Sequence, residues 1–192
     1  MLYKEIPLPM LLTYIRLIGA PLVLPFLFVY LLTYNALWLN YTLAGIFFLF
    51  ALTDFFDGYL ARKYEQTSET GALLDHVADK FLLYSSLVGL IAAHKLYFAW
   101  AIVWIGREFF IMTLRQVALE NNFSITVSSY GKIKTALQVC ALTIVISNPY
   151  HALPLLASYW NIAEFLLLSA ATILCVVSAY DYFSVFQKRF YR

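Results

Sequence analysis

Apolar residues along the chain fall into six long segments, which short polar stretches separate. A helix needs about 20 mostly apolar residues to cross a bilayer, and each segment meets this length or comes close to it. The approximate bounds of the six segments are residues 17–33, 39–60, 73–93, 96–119, 133–148 and 161–182. We therefore predict an all-α membrane protein with six transmembrane helices, organised as a single domain over residues 1–192.

A shorter stretch with prolines precedes the first of these segments. Pro9 and the residues from Leu11 to Arg16 predict a short N-terminal interfacial helix that leads into the first span, with Arg16 at headgroup depth. Pro21 and Pro25 fall inside the predicted span itself. A membrane helix tolerates them there because neighbouring helices can satisfy the carbonyl groups that a proline leaves unpaired.

The composition supports an integral membrane protein. Hydrophobic residues make up 62% of the chain and charged residues 12%, and the mean hydropathy is +0.75, far from the average of soluble domains. Cys140 and Cys175 both lie inside apolar segments, without the spacing of a zinc site or a disulfide framework. The expected surroundings are membrane lipid, and we predict no nucleic-acid partner.

The loops differ in charge from one side of the predicted spans to the other. Cytoplasmic loops of membrane proteins carry an excess of lysine and arginine. The loop and terminal residues of this kind on one side are Lys4, Arg16, Arg62, Lys63, Lys132, Lys134, Lys188, Arg189 and Arg192, whereas the opposite side has Lys95. We therefore predict a multi-pass protein of the inner, cytoplasmic membrane of the cell, with both termini in the cytoplasm.

Four aspartates stand out between the second and third apolar segments. Asp54 and Asp57 are three residues apart at the end of one predicted helix, and Asp75 and Asp79 are four residues apart at the start of the next. Residues at these spacings share a helix face, and the polar connection between the helices is short. The sequence therefore predicts that four carboxylates converge on one cavity at the cytoplasmic interface.

Such a group of acids predicts a site for divalent metal ions. Carboxylates that converge beside a membrane repel one another and raise each other's pKa unless cations compensate them. Oxygen ligands suit a hard cation such as magnesium, manganese or calcium, and several carboxylates could hold two ions that assist phosphoryl transfer. Asp79 lies deepest along its span, which makes it the best candidate for a general base.

These residues resemble the signature of the CDP-alcohol phosphatidyltransferase family. All eight specified positions match: Asp54, Asp57, Gly58, Ala61, Arg62, Gly71, Asp75 and Asp79. The resemblance implies a six-helix membrane enzyme, usually a homodimer, in which an alcohol attacks the diphosphate of a CDP-linked lipid and CMP leaves. It also implies that the four aspartates bind two divalent cations, Mg²⁺ or Mn²⁺, and that Asp79 is the base.

The same resemblance implies which residues bind the CDP-linked lipid. Gly58, Ala61 and Arg62 would line the CMP moiety, where the small residues make room and the arginine can contact phosphate oxygens. The full set of expected CDP-lipid contacts is Thr13, Asp54, Gly58, Ala61, Arg62, Gly71 and Asp75.

Basic residues in the second half of the chain indicate an anionic acceptor. Arg107 and Arg115 are two turns apart on one predicted helix, and Lys132 and Lys134 follow in the next loop. A cluster of these four residues near the metals would bind the phosphate of the acceptor, and Glu108 is expected to pair with a basic neighbour or to orient Arg107. A neutral acceptor such as inositol or choline would not need the cluster.

These stretches resemble the branch of the family formed by phosphatidylglycerophosphate synthases. The shared features are an Arg-Glu pair, a later arginine, a Gly-Lys-x-Lys-Thr turn and the opening from Pro9 to Arg16. The resemblance implies transfer from CDP-diacylglycerol to sn-glycerol 3-phosphate. One residue departs from that pattern, because His76 stands where proline is common.

Two other readings of the sequence stay open. Inositol phosphate, serine or phosphatidylglycerol could replace glycerol 3-phosphate as the acceptor. In a different class, carboxylates inside a membrane also build cation transporters. A transporter site is expected near the bilayer midplane on broken helices, whereas these aspartates lie at one interface, so the sequence favours the enzyme.

Overall fold

The computed structural model describes residues 8–63, 69–124, 129–149 and 153–190. Within these ranges, side chains are described for residues 18–19, 22–52, 80–124, 131, 133–149, 153 and 157–190. All regular structure in the described ranges is helical, which confirms the all-α prediction for that part of the chain. The helices are α1 (Leu8–Leu31), α2 (Leu37–Lys63), α3 (Glu69–Ala92), α4 (Phe98–Glu120), α5 (Ser129–Ser147) and α6 (Pro154–Phe190), with a 3-10 turn at Leu32–Tyr34.

Two helices extend well beyond the predicted spans. α1 begins at Leu8, so the stretch predicted as a separate interfacial helix is the first part of the same continuous helix. Pro9 is its second residue, where the missing N–H group removes no hydrogen bond. α6 continues to Phe190, and Lys188 and Arg189 in its last turn interact favourably with the helix dipole.

Within the described residues, one helix passes the test of length and hydropathy for a membrane span. The stretch Ala157–Phe190 of α6 is long and apolar enough to cross a bilayer. Four shorter apolar stretches belong to other helices: Leu22–Tyr34, Leu37–Leu52, Lys80–Ala92 and Ile133–Ser147. The predicted count of six spans therefore stays a prediction.

The core of the bundle contains side chains from all six helices. Phe28, Phe47, Leu87, Trp104 and Leu142 are buried together, and Cys175 joins them from α6. The indole Nε1 of Trp104 donates a hydrogen bond of 2.8 Å to Thr172 Oγ1, which links α4 to α6. Close packing and bonds of this kind hold helices together where lipid removes the usual hydrophobic driving force.

Helices α1 and α3 approach each other closely at Gly89. A Cβ atom placed on Gly89 would lie 2.6 Å from the Cα atom of Pro25 and 3.1 Å from Phe28 Cδ2. Because the nearest atom belongs to the backbone, a rotamer change could not relieve the clash. Glycine at position 89 therefore permits the α1–α3 contact.

Replacing Gly89 by alanine is expected to lower the stability of the purified protein by about 1–3 kcal/mol, because overpacking forces the two helices apart. Thermal unfolding in detergent measures the effect. Gly45→Ala on α2 is the matched control, since a Cβ atom there meets nothing within 4 Å. An unfolding temperature that falls equally in both variants would contradict the packing argument.

A polar cluster fixes the end of the bundle where α5 stops. The Nδ2 atom of Asn40 on α2 donates to the carbonyl oxygen of Asn148 at 2.9 Å. Asn148 Nδ2 donates in turn to Asn161 Oδ1 and Glu164 Oε2 on α6, each at 2.8 Å. α2, α5 and α6 are thus tied together at this end, and the cavity described next lies toward the opposite end.

Candidate active site

The helices hold the sequence-predicted aspartates on either side of one connection. Asp54 and Asp57 lie near the end of α2, and Asp75 and Asp79 lie in the first turns of α3. The side chains of all four fall outside the described residues, as do those of Gly58, Ala61, Arg62, Gly71, Thr13 and Lys132. Among the side chains that are described, no group of three or more His, Cys, Asp or Glu residues comes together.

A cavity of about 350 Å³ adjoins these helix ends. Ala51 in its wall lies three residues before Asp54, and Lys80 in its wall follows Asp79 directly. Helices α2 to α6 all contribute to the lining. Its polar side chains are Lys80, Tyr84, Arg107, Glu108, Arg115, Lys134, Thr135, Gln138 and Tyr182.

Glu108 on α4 is the centre of an ion-pair cluster in this cavity. Its Oε1 atom accepts hydrogen bonds from Arg107 Nη1 at 2.7 Å and from Lys134 Nζ. Its Oε2 atom lies 3.3 Å from Lys80 Nζ. The exposed fractions of the Arg107 and Lys134 side chains are only 8% and 5%, so these charges interact with little screening by water. One carboxylate therefore joins cations from α3, α4 and α5.

Tyr182 on α6 connects the two arginines. Its ring centroid lies 5.8 Å from the Arg107 guanidinium carbon and 5.5 Å from that of Arg115, within cation–π range. Arg115 Nη2 donates to the Tyr182 hydroxyl at 3.0 Å, and Arg107 Nη2 donates to Ser178 Oγ at 2.9 Å. α6 thereby positions both guanidinium groups at the cavity wall.

The cluster keeps positive charge and hydrogen-bond donors available for a ligand. The described lining contains four cationic side chains and one carboxylate, so three positive charges are uncompensated there. The Nε atoms of Arg107 and Arg115 are buried and have no partner among the described residues. An oxyanion with several acceptor oxygens, such as a phosphate monoester, matches this arrangement.

The structure brings together three of the four predicted acceptor-site residues. Arg107, Arg115 and Lys134 line the same cavity. Glu108 pairs with Arg107 as expected, and it also joins Lys80 and Lys134.

Sequence reasoning missed Lys80, Ser178, Tyr182 and Gln138. Ser178 and Tyr182 are four residues apart on an otherwise apolar helix, and polar residues at that spacing share a face. This spacing is a signal that could have indicated a polar site on α6.

The chain matches the model of one protein family over most of its length. The family is described as CDP-alcohol phosphatidyltransferase, and the match covers residues 6–177. The matched region contains every residue discussed for the cavity except Ser178 and Tyr182.

Curated proteins from several bacteria are similar to this chain. A CDP-diacylglycerol–glycerol-3-phosphate 3-phosphatidyltransferase of Haemophilus influenzae is 41% identical over 146 residues, which cover 73% of this chain and 74% of that protein. A protein of the same name from Yersinia enterocolitica is 38% identical, covering 76% of this chain and 78% of the relative. One from Rickettsia felis is 33% identical, and the alignment covers 77% of this chain and 80% of the relative.

Proposed function

Because this chain belongs to the CDP-alcohol phosphatidyltransferase family, we propose that it joins the phosphatidyl group of CDP-diacylglycerol to sn-glycerol 3-phosphate. The products are phosphatidylglycerophosphate and CMP. The relatives in H. influenzae and Y. enterocolitica carry the name of this reaction. The protein is thus a membrane enzyme of phospholipid biosynthesis.

The basic charge of the cavity supports an acceptor that carries a phosphate. Arg107, Arg115 and Lys134 line it, and its described side chains carry three uncompensated positive charges. This positive charge strengthens the binding of a phosphorylated alcohol, whereas it does not strengthen the binding of serine or another acceptor without net negative charge. The acceptor phosphate binds to Arg107, Arg115, Lys132 and Lys134 in this proposal.

The predicted aspartates suit two divalent cations. Asp54 and Asp57 on α2 and Asp75 and Asp79 on α3 offer only oxygen donors, which Mg²⁺ and Mn²⁺ prefer. α2 and α3 pack against each other, so both pairs belong to neighbouring helix ends. When bound, the cations polarise the diphosphate of the lipid substrate and neutralise the charge that develops on CMP.

The remaining chemistry belongs to side chains of the protein. Asp79 accepts the proton of the acceptor's terminal hydroxyl, whose oxygen forms a bond to the phosphorus of the phosphatidyl group. The bond between that phosphorus and the bridging oxygen breaks, and CMP leaves with the oxygen. Arg107, Arg115 and Lys134 hold the acceptor phosphate. The attacking hydroxyl is thereby kept close to the phosphorus atom, so the attack no longer requires a chance encounter of two free molecules.

Binding of the lipid substrate completes the proposal. Gly58, Ala61 and Arg62 line the CMP moiety, as the family pattern implies, and Gly71 and Thr13 contact the same lipid substrate. Asp54 and Asp75 also belong to this set. The protein acts as a homodimer with a cytoplasmic active site and cytoplasmic termini.

Six spans in the inner membrane agree with the outer surface of the bundle. Large apolar side chains are exposed on α1 to α6, among them Phe26, Leu49, Val88, Ile102, Ile133 and Phe165. Such a surface suits lipid rather than water.

A CMP-release assay tests the reaction. The purified protein is mixed with CDP-diacylglycerol, Mg²⁺ or Mn²⁺ and one acceptor: glycerol 3-phosphate, inositol phosphate, serine or phosphatidylglycerol. We expect kcat/KM for glycerol 3-phosphate to exceed that for each other acceptor by at least about 100-fold, and a metal chelator to stop CMP release. Activity with inositol phosphate and none with glycerol 3-phosphate would overturn the acceptor assignment.

A further inference from the structure

Gln138 on α5 is a buried polar residue that the proposed reaction does not yet use. Its side chain has no exposed surface, and it lies in the wall of the basic cavity. Neither its Oε1 nor its Nε2 atom has a hydrogen-bond partner among the described residues. Buried amide groups are nearly always hydrogen-bonded in folded proteins. A ligand bound in the cavity can supply the partner that this amide lacks among the described residues.

Its position relates Gln138 to the phosphate-binding residues. Gln138 follows Lys134 by four residues on α5, and this spacing places the two side chains on one helix face, one turn apart. Lys134 pairs with Glu108 in the same cavity. A ligand whose phosphate contacts Lys134 can therefore reach Gln138 with its remaining atoms. The three rotatable bonds of a glutamine allow the amide to turn toward such a ligand.

The chemistry of the amide differs from that of its cationic neighbours. Lysine and arginine only donate hydrogen bonds, which suits phosphate oxygens, whereas the Gln138 amide both donates and accepts. A hydroxyl group likewise both donates and accepts, and it needs no charge from its partner. Glycerol 3-phosphate carries two hydroxyls, of which the terminal one is consumed in the reaction.

We propose that Gln138 binds the central hydroxyl of the phosphorylated acceptor and thereby selects polyol phosphates over phosphates that carry only the attacking hydroxyl. This inference rests on the proposed function, because it assumes that the acceptor phosphate occupies the basic cavity. Gln138 acts as a specificity-determining residue, since it contacts a part of the acceptor that does not react.

The test compares two acceptors that differ in one group. Glycerol 3-phosphate and 3-hydroxypropyl phosphate share the phosphate and the attacking terminal hydroxyl, but the second compound lacks the central hydroxyl. We expect the wild-type protein to prefer glycerol 3-phosphate by about 10- to 100-fold in kcat/KM, and Gln138→Met, which keeps the length of the side chain, to lose most of this preference. The activity of Gln138→Met with 3-hydroxypropyl phosphate should change by less than about threefold.

Gln116→Met is the matched control. Gln116 lies exposed on α4, where its Nε2 atom donates to Glu120 Oε1 at 3.1 Å, and it does not line the cavity. Its variant should keep the wild-type preference. If the wild-type protein has the same kcat/KM with both acceptors, the inference is overturned without any variant. It is also overturned if Gln138→Met loses kcat/KM equally with both acceptors. No CMP release by the wild-type protein with glycerol 3-phosphate would instead overturn the proposed function.

Discussion

Asp79→Asn is expected to lower kcat by about 100- to 10,000-fold, the range that a positioned general base contributes. Asparagine keeps the size of the side chain but cannot take the proton of the attacking hydroxyl. Asp79 lies in the third turn of α3, immediately before Lys80, which lines the basic cavity. CMP release at saturating concentrations of both substrates measures the effect. Full turnover in Asp79→Asn would remove Asp79 from the mechanism.

Two further variants separate the roles of base and metal ligand. Asp57→Asn removes one proposed ligand, so part of its lost activity should return when the Mn²⁺ concentration is raised, whereas Asp79→Asn should recover little. Asp181→Asn on α6 is the matched control, because Asp181 does not line the cavity. Its activity should stay within about threefold of the wild-type value. If raised Mn²⁺ restores the activity of Asp57→Asn and Asp79→Asn equally, Asp79 is a metal ligand and not the general base.

The helices could be predicted from the sequence, but their ends could not. Hydropathy predicted spans at about 73–93 and 96–119, and the structure has α3 at Glu69–Ala92 and α4 at Phe98–Glu120. Hydropathy locates the part of a helix that lipid surrounds, whereas backbone hydrogen bonds continue into polar sequence. The difference is large in α6, which includes the polar residues Gln187, Lys188 and Arg189 after the predicted span.

The candidate site was predictable only where its residues share one helix or carry a family pattern. Arg107 and Arg115 are eight residues apart on α4, so their common cavity followed from helical spacing. Lys80 has no such relation to Glu108, because their contact depends on how α3 packs beside α4. The positions of Tyr182 and Gln138 in the cavity wall likewise depend on tertiary packing, which hydropathy does not predict.

The buried Glu108 gives the cationic cavity a stable structure before any acceptor binds. Desolvating a charge is costly unless an opposite charge and hydrogen bonds compensate it. The single negative charge of Glu108 is shared among Lys80, Arg107 and Lys134, each of which contacts its carboxylate. Arg115 has no contact with this carboxylate among the described residues, and its guanidinium is held by the hydroxyl and ring of Tyr182 instead. Arg115 is therefore the cation most available to a bound phosphate.

Arg115→Ala is accordingly expected to lower kcat/KM for glycerol 3-phosphate by about 30- to 100-fold, because it removes a charged hydrogen-bond donor without leaving Glu108 unpaired. Most of the loss should appear as a higher KM for the acceptor, with the KM for CDP-diacylglycerol unchanged. Steady-state CMP release at varied concentrations of each substrate measures both values. Arg115→Lys should recover only part of the affinity, since lysine lacks the planar fork of donors.

Arg189→Ala is the matched control for the loss of an arginine. Arg189 is exposed near the end of α6, where its Nη1 atom donates to the carbonyl oxygen of Ser124 at 2.9 Å, away from the cavity lining. Its kinetic constants should stay within about threefold of the wild-type values. A rise in the KM for CDP-diacylglycerol in Arg115→Ala, with the acceptor KM unchanged, would show that Arg115 contacts the diphosphate of the lipid substrate. The acceptor phosphate would then have to bind to Arg107 and the lysines without Arg115.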